Sequence, residues 1–307
     1  MSRRRRGRPV HGVVLLDKPA GLSSNQALQK VRRIFDARKG GHTGSLDPFA
    51  TGLLPICLGE ATKTAGLLLE TDKHYLATAR LGEATETGDV EGRVVQRCEI
   101  PELSEDRIRL IFDRFKGKIS QVPPMYSALK VQGRPLYELA RAGKKVERKA
   151  RDVEIKSLEL VNWESPHFEF RVHCSKGTYI RTLAEDIAAE LGTCAHLTAL
   201  RRTRVGPFDG APMVGLEELQ RAADADELGD ILLPVDSGLS AWPEVTLNAE
   251  STRRFRHGND VPCEWVQPGE CRVISSSGEL IGLGKVSSHK RLRPTRVFQL
   301  GGQTTGR

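Results

Sequence analysis

The sequence has no apolar run near the ~20 residues that a membrane-spanning helix needs. Its longest, Gly52 to Gly59, contains Pro55 and stops at Glu60. A secretory leader pattern is missing as well. The arginines at 3 to 6 and 8 precede an apolar stretch that Asp17 and Lys18 cut short. A cytoplasmic protein without membrane contact is the expectation. Cysteine is sparse and unpatterned. The six residues, at 57, 98, 174, 194, 263 and 271, include no C-x-x-C pair and no His at zinc-finger spacing. They read as buried or free thiols of a reducing cytosol, not as a disulfide or metal framework. Also lacking are the phosphate-cradling G-x-x-x-x-G-K-[ST], the dinucleotide G-x-G-x-x-G, the zinc-binding H-E-x-x-H and the hydrolase G-x-S-x-G. No metal and no nucleotide cofactor is therefore expected.

What remains is a chain of 307 residues, 38% hydrophobic and 28% charged, which can bury a core. The formal charge of +8 lies at the two ends. Residues 1–10 carry five Arg and no acid, and residues 246–307 carry ten basic and five acidic residues. Basic ends on a near-neutral body suit contact with a polyanion. The expected division is a basic arm (1–10), a main domain (11–245) and a small β-rich module (246–307), with Pro234, Gly238 and Pro243 marking the last boundary.

Gly12–Asp17 reads as a strand entering a turn at Lys18-Pro19-Ala20-Gly21. Ser23-Ser24 then cap an amphipathic helix with Ala27, Leu28, Val31, Ile34 and Phe35 on its inner face. Residues 37–52, rich in glycine, fit neither helix nor strand. Strands are expected over Leu53–Leu58, Lys73–Leu81, Val153–Leu160 (with a bulge) and Phe168–Cys174, the last with Cys174 in the core. Helices are expected after Ser104, over Leu136–Ala142 and over Thr178–Leu191, where Gly192 ends the last. Without regular βαβ alternation this is an α+β fold, with a mixed, mostly antiparallel central sheet flanked by helices.

The informative segment is Gly40-Gly41-His42-Thr43-Gly44-Ser45-Leu46-Asp47-Pro48-Phe49-Ala50-Thr51-Gly52. A carboxylate before a proline in a glycine-rich loop is fixed yet reachable, although Asp-Pro alone is usually only a turn. Here it stands among further motifs: Leu15 to Ser24, Leu58-Gly59-Glu60-Ala61-Thr62-Lys63, Pro124 to Lys130, Cys174 to Thr182, and Ala195-His196-Leu197 with Leu200-Arg201-Arg202. Together these resemble the pseudouridine synthase family, in its branch acting on uridine 55 in the T loop of elongator tRNAs. The likeness covers about residues 11–245. It is looser beyond, where that branch carries a PUA-like RNA-binding module.

The resemblance implies a catalytic Asp47, a Tyr75 that stacks on the target base and an Arg181 that pairs with the aspartate. It also implies RNA contacts from His42, Tyr179 and Leu200, and a loop braced by Lys18 and Pro19. The implied partner is the tRNA T stem-loop, bound by a monomer that needs no cofactor. Arg181 is expected to lower the Asp47 pKa. A non-catalytic RNA-binding or tRNA-folding protein explains the basic ends equally well. The Asp47, Tyr75 and Arg181 set favours the enzyme.

Overall fold

The computed structural model describes residues 7–131, 133–144, 146–264 and 267–301. Arginines 3 to 6 of the basic arm and the last six residues of the C-terminal module lie outside this set. In chain order the main body runs β1 (Gly12–Lys18), α1 (Ser24–Ile34), β2 (Gly40–His42), β3 (Thr51–Leu58), α2 (Ala65–Leu69), β4 (Lys73–Leu81), β5 (Glu83–Thr85), β6 (Val94–Arg97), α3 (Glu105–Arg114) and β7 (Gly117–Gln121). It continues through β8 (Lys130–Val131), β9 (Arg134–Pro135), α4 (Leu136–Arg141), β10 (Arg151–Glu164), β11 (His167–Cys174), α5 (Ile180–Glu190), β12 (Ala195–Val205), α6 (Leu216–Asp224) and α7 (Leu228–Ile231).

The central sheet has the order β1-β3-β12-β4-β11-β10-β7, with β2 also paired to β3. Only the β3–β12 pair is parallel, so the sheet is mixed and mostly antiparallel as expected. The strict alternation of β4 sends Lys73, Tyr75, Ala77, Ala79 and Leu81 inward. Against that face pack α1, α3 and α5 through Leu28, Val31, Ile108, Ile111, Leu183 and Ile187. Ser23 caps α1 through a capping box with Gln26, and Ser104 caps α3, both at the expected residues.

The largest departures are in the glycine-rich segment and in β12. Residues 37–52 are not wholly irregular: Gly40–His42 pairs with β3 along Ile56–Leu58. The central strand β12 had no assigned period, because bulges after Leu197 and Arg202 break its alternation. The cysteine reading also needs correction. Cys98 and Cys194 form a disulfide, with Cα atoms 5.8 Å apart, and only Cys57, Cys174, Cys263 and Cys271 are free. Backbone bonds bring the pair together across Gly82, which donates to Cys194 and accepts from Cys98, a juxtaposition of distant segments that spacing does not reveal.

A second sheet, β13 (Glu244–Leu247), β15 (Gly269–Ser275), β16 (Leu280–Val286), β17 (Arg291–Val297) and β14 (Val261–Pro262) in that order, packs with α8 (Ala249–Arg256) around Phe255, Val273 and Ile281. It docks on the main body where Leu283 and Phe298 share a core with Val13, Leu15, Leu53 and Cys57. No helix among the described residues is long and apolar enough to cross a membrane.

Candidate active site

Asp47 lies in the connection between β2 and β3, held from below and from one side. Buried Ser24, at the start of α1, accepts from the Leu46 backbone N–H at 2.7 Å and donates to its carbonyl at 3.0 Å. Lys18, at the end of β1, is fully buried. Its Nζ donates to the carbonyls of Pro19 (2.8 Å), Leu22 (2.7 Å) and Pro48 (3.2 Å). Burial holds its ammonium down at about 8. Lys18 thus ties the turn after β1 to Pro48, the residue following Asp47. Arg201 of β12 grips Asp17 of β1 through two bonds of 3.0 and 2.8 Å, across the intervening β3.

The Asp47 carboxylate meets the Arg181 guanidinium side-on, Nε to Oδ2 at 3.0 Å and Nη2 to Oδ1 at 3.2 Å. The arginine side chain is 4% exposed and the aspartate 35%, so the acid can be reached from solvent while its partner cannot. Arg181 stands one residue into α5. The preceding Tyr179 is held through its backbone, donating to and accepting from the Gln121 side chain at 3.1 and 3.3 Å. The remaining Arg181 protons go to the carbonyls of Thr87 (2.6 Å) and Tyr126 (2.7 Å) and to the buried Asp89, 3.4 Å away. A cavity of about 410 Å³ opens on this flank, lined in part by Thr87, Tyr126 and Glu185.

The expected influence of Arg181 on Asp47 is present but does not set the balance. Arg181 does pull the Asp47 pKa down, but desolvation outweighs it and Asp89 adds to the rise, so the carboxyl sits above its ordinary value. Burial likewise pushes Glu185, one turn after Arg181, up to about 7.

Tyr75 and Tyr179 are both near enough to feel the Asp47 charge, and burial raises both phenols. Tyr75 is a core residue near the start of β4, whereas Tyr179 is half-buried at the start of α5. His42 ends β2, with Nδ1 buried and unpartnered. Burial, with help from Arg202, holds its pKa down. Leu200 is buried in β12 opposite Ala77, in the core cluster that contains Tyr75. The structure therefore brings Asp47 and Arg181 into contact, puts both tyrosines within reach of the Asp47 charge, and places Leu200 in the core cluster of Tyr75 and His42 at the end of β2.

Two residues of this constellation were assigned no role from the sequence, although Arg202 stands in one of the quoted motifs. Asp89 sits in the β5–β6 hairpin, where Thr87 donates to its Oδ1 at 2.5 Å. The run Thr85 to Asp89, which contains Gly88 and is flanked by Gly82 and Gly92, has the same glycine-and-acid texture as the Asp47 loop and was a usable signal. Arg202 is 1% exposed in β12. An arginine between Leu197, Leu200 and Val205 was a sign of a buried charge. Among the described residues no group of His, Cys, Asp and Glu could hold a metal ion.

Three family models together cover most of the chain. Residues 32–180 match the model of the TruB family pseudouridylate synthase N-terminal domain. Residues 181–240 match that of the tRNA pseudouridylate synthase B C-terminal domain, and 243–298 that of pseudouridine synthase II TruB, C-terminal. The tRNA pseudouridine synthase B of Nitrosococcus oceani is 49% identical over 97% of each chain. The chain belongs to the TruB family of pseudouridine synthases. The enzyme of the same name from Chromohalobacter salexigens is 55% identical over 84% of each chain. Among solved structures, a Cbf5-Nop10-Gar1 complex aligns with a TM-score of 0.72 at 27% identity, over 94% of this chain and 84% of that one. The α+β fold with its β-rich C-terminal module is thus a TruB-family architecture.

Proposed function

We propose that this TruB-family chain isomerises uridine to pseudouridine in tRNA, at position 55 of the T loop. The observation that carries the reading is the reachable Asp47 carboxylate clasped by a buried Arg181, in a chain with full-length tRNA pseudouridine synthase B relatives. The uridine must leave its stack to meet Asp47, which costs a few kcal/mol. Stacking on an aromatic ring offsets about 1–3 kcal/mol of that. Tyr75 is assigned this plate, and Tyr179, His42 and Leu200 the wall of the base pocket. Asp47 then acts as nucleophile or as base at C2′. The N-glycosidic bond breaks, the uracil turns, C5 bonds to C1′, the C5 hydrogen leaves as a proton, and the freed N1 takes up a proton in exchange. Every other atom of the substrate is kept and no electrons go to an acceptor, so the stoichiometry calls for no cofactor. Arg181 orients the carboxylate and favours its charged form.

The proposed organisation is a basic arm (1–10), a catalytic part (11–245) and an RNA-binding module (246–307), acting in the cytoplasm. A monomer suffices, because Asp47, Tyr75 and Arg181 come from one chain. The T stem-loop is proposed to be read by shape and by its flipped bases.

The test is Asp47→Asn, which keeps the shape and removes the charge. Tritium release from C5-labelled uridine in tRNA should fall by more than the ~10²–10⁴ of a positioned acid–base group, because an amide has no equivalent reactivity. Filter binding of the same tRNA should change little. A variant keeping more than about a hundredth of the parent turnover would falsify the catalytic assignment.

A further inference from the structure

Arg202 is the only one of the largest fully buried side chains that carries a guanidinium. No carboxylate pairs with it among the described residues. Its Nε donates to the Leu53 carbonyl at 2.8 Å and its Nη2 to the Gly44 carbonyl at 3.1 Å. These two carbonyls stand on either side of Asp47, Gly44 near the start of its loop and Leu53 two residues into β3 beyond its end. In the sheet, Arg202 is in register with Gly52 on one side and Tyr75 on the other. The approach to Gly52 is tight. Gly52 has φ +96°, and a Cβ there would lie 2.3 Å from the Arg202 carbonyl oxygen. The charge is near enough to depress the His42 pKa and to act downward on that of Tyr75.

Withdrawing an unpaired guanidinium from water is unfavourable, and an apolar side chain of similar length would serve a purely structural strand better. We propose that Arg202 is a positioning residue for the isomerisation, clamping the chain on either side of Asp47 to the strand that lies beside Tyr75. Lys18 and Ser24 hold the loop from the α1 side; Arg202 holds it from within the sheet. The planar guanidinium can donate in two fixed directions at once. A lysine ammonium cannot reproduce that fork, although it keeps the charge. This inference rests on the tRNA pseudouridine synthase reading above.

The experiment uses the full chain with Arg202→Lys and Arg202→Met. Single-turnover tritium release is measured at saturating enzyme, together with tRNA Kd and the thermal unfolding midpoint. A displacement near 1 Å in the reacting geometry costs on the order of 10²-fold in rate, so both variants should lose about that much. Both should keep Kd within about threefold of the parent, since these two backbone ties do not set RNA affinity. A parent-like rate in Arg202→Lys would show that charge alone suffices and would overturn the clamp. A parent-like rate in Arg202→Met would overturn it more completely. If neither variant binds tRNA or shows an unfolding transition, Arg202 is a stability residue and the proposal fails. The parent protein separates the two claims. Label release by the parent together with parent-like variants sinks only the clamp, and a silent parent sinks the enzyme reading and the clamp with it.

Discussion

Asp47 is under two opposing influences, and their balance has a measurable consequence. Burial and Asp89 raise its pKa, while Arg181 and Lys18 lower it, and the sum is upward. The reactive form is the carboxylate whether it attacks or abstracts a proton. Activity is therefore complete well above the raised pKa and is lost as pH falls through it. Single-turnover rates on prefolded tRNA should show an acid limb with its inflection above the ordinary value of 3.8. An inflection at or below that value, with binding unchanged, would mean that Arg181 dominates after all. The geometry of the pair accounts for both influences. Arg181 has almost no contact with water, and two carbonyls and a second carboxylate occupy the protons that Asp47 does not use.

At the scale of elements, the site is assembled where β1, β3, β4, β12 and α5 converge. The Asp47 loop leaves β2 and enters β3. Arg181 comes from α5, and its remaining partners come from the β5–β6 hairpin and the segment before β8. The Cys98–Cys194 bond clips the far end of that hairpin to the start of β12. Protein purified without reductant and then unfolded should present four thiols to a colorimetric reagent, from Cys57, Cys174, Cys263 and Cys271, and two more after reduction. Six thiols before reduction would show that the hairpin is held by its backbone bonds alone. Burial raises the Cys57 and Cys174 thiols to about 12, so both should react slowly in the folded protein.

At the scale of the molecule, the C-terminal module is part of the main structure and not a loose appendage. Leu283 and Phe298 complete a core with Val13, Leu15 and Leu53. Lys63 donates to the Val297 carbonyl at 2.7 Å, and the Gln299 N–H donates to Glu60 at 2.8 Å. Removing the module would uncover the outer faces of β1 and β3, the strands that end in Lys18 and carry the Asp47 loop. Charge removal is the cleaner test of RNA contact. Lys285 and Arg293 are exposed and face each other across β16 and β17. Replacing both by Ala should weaken tRNA binding. It should also lower the slope of log affinity against log salt by about 1–2, since each phosphate contact contributes ~0.7–0.9. The rate on saturated enzyme should not change. A parent-like slope would exclude this strand pair from the RNA interface.

Local order was legible wherever the pattern repeats over a few residues. The period-2 run of β4 and β11, the capping serines of α1 and α3, and the glycine after α5 each follow from chemistry within one segment. The family's motifs, and with them Asp47 and Arg181, were legible for the same reason: each motif is contiguous. What only the tertiary structure decided depends on distance between segments. The Arg181 guanidinium crosses 134 positions to reach Asp47, and Cys98 and Cys194 meet across 96. The bulges of β12 hide a central strand from any periodic reading, and with it the buried Arg202. The direction of the Asp47 pKa belongs here too. An arginine in the sequence suggests that it falls, but desolvation depends on how much protein surrounds the carboxyl, and that is a property of the packed molecule.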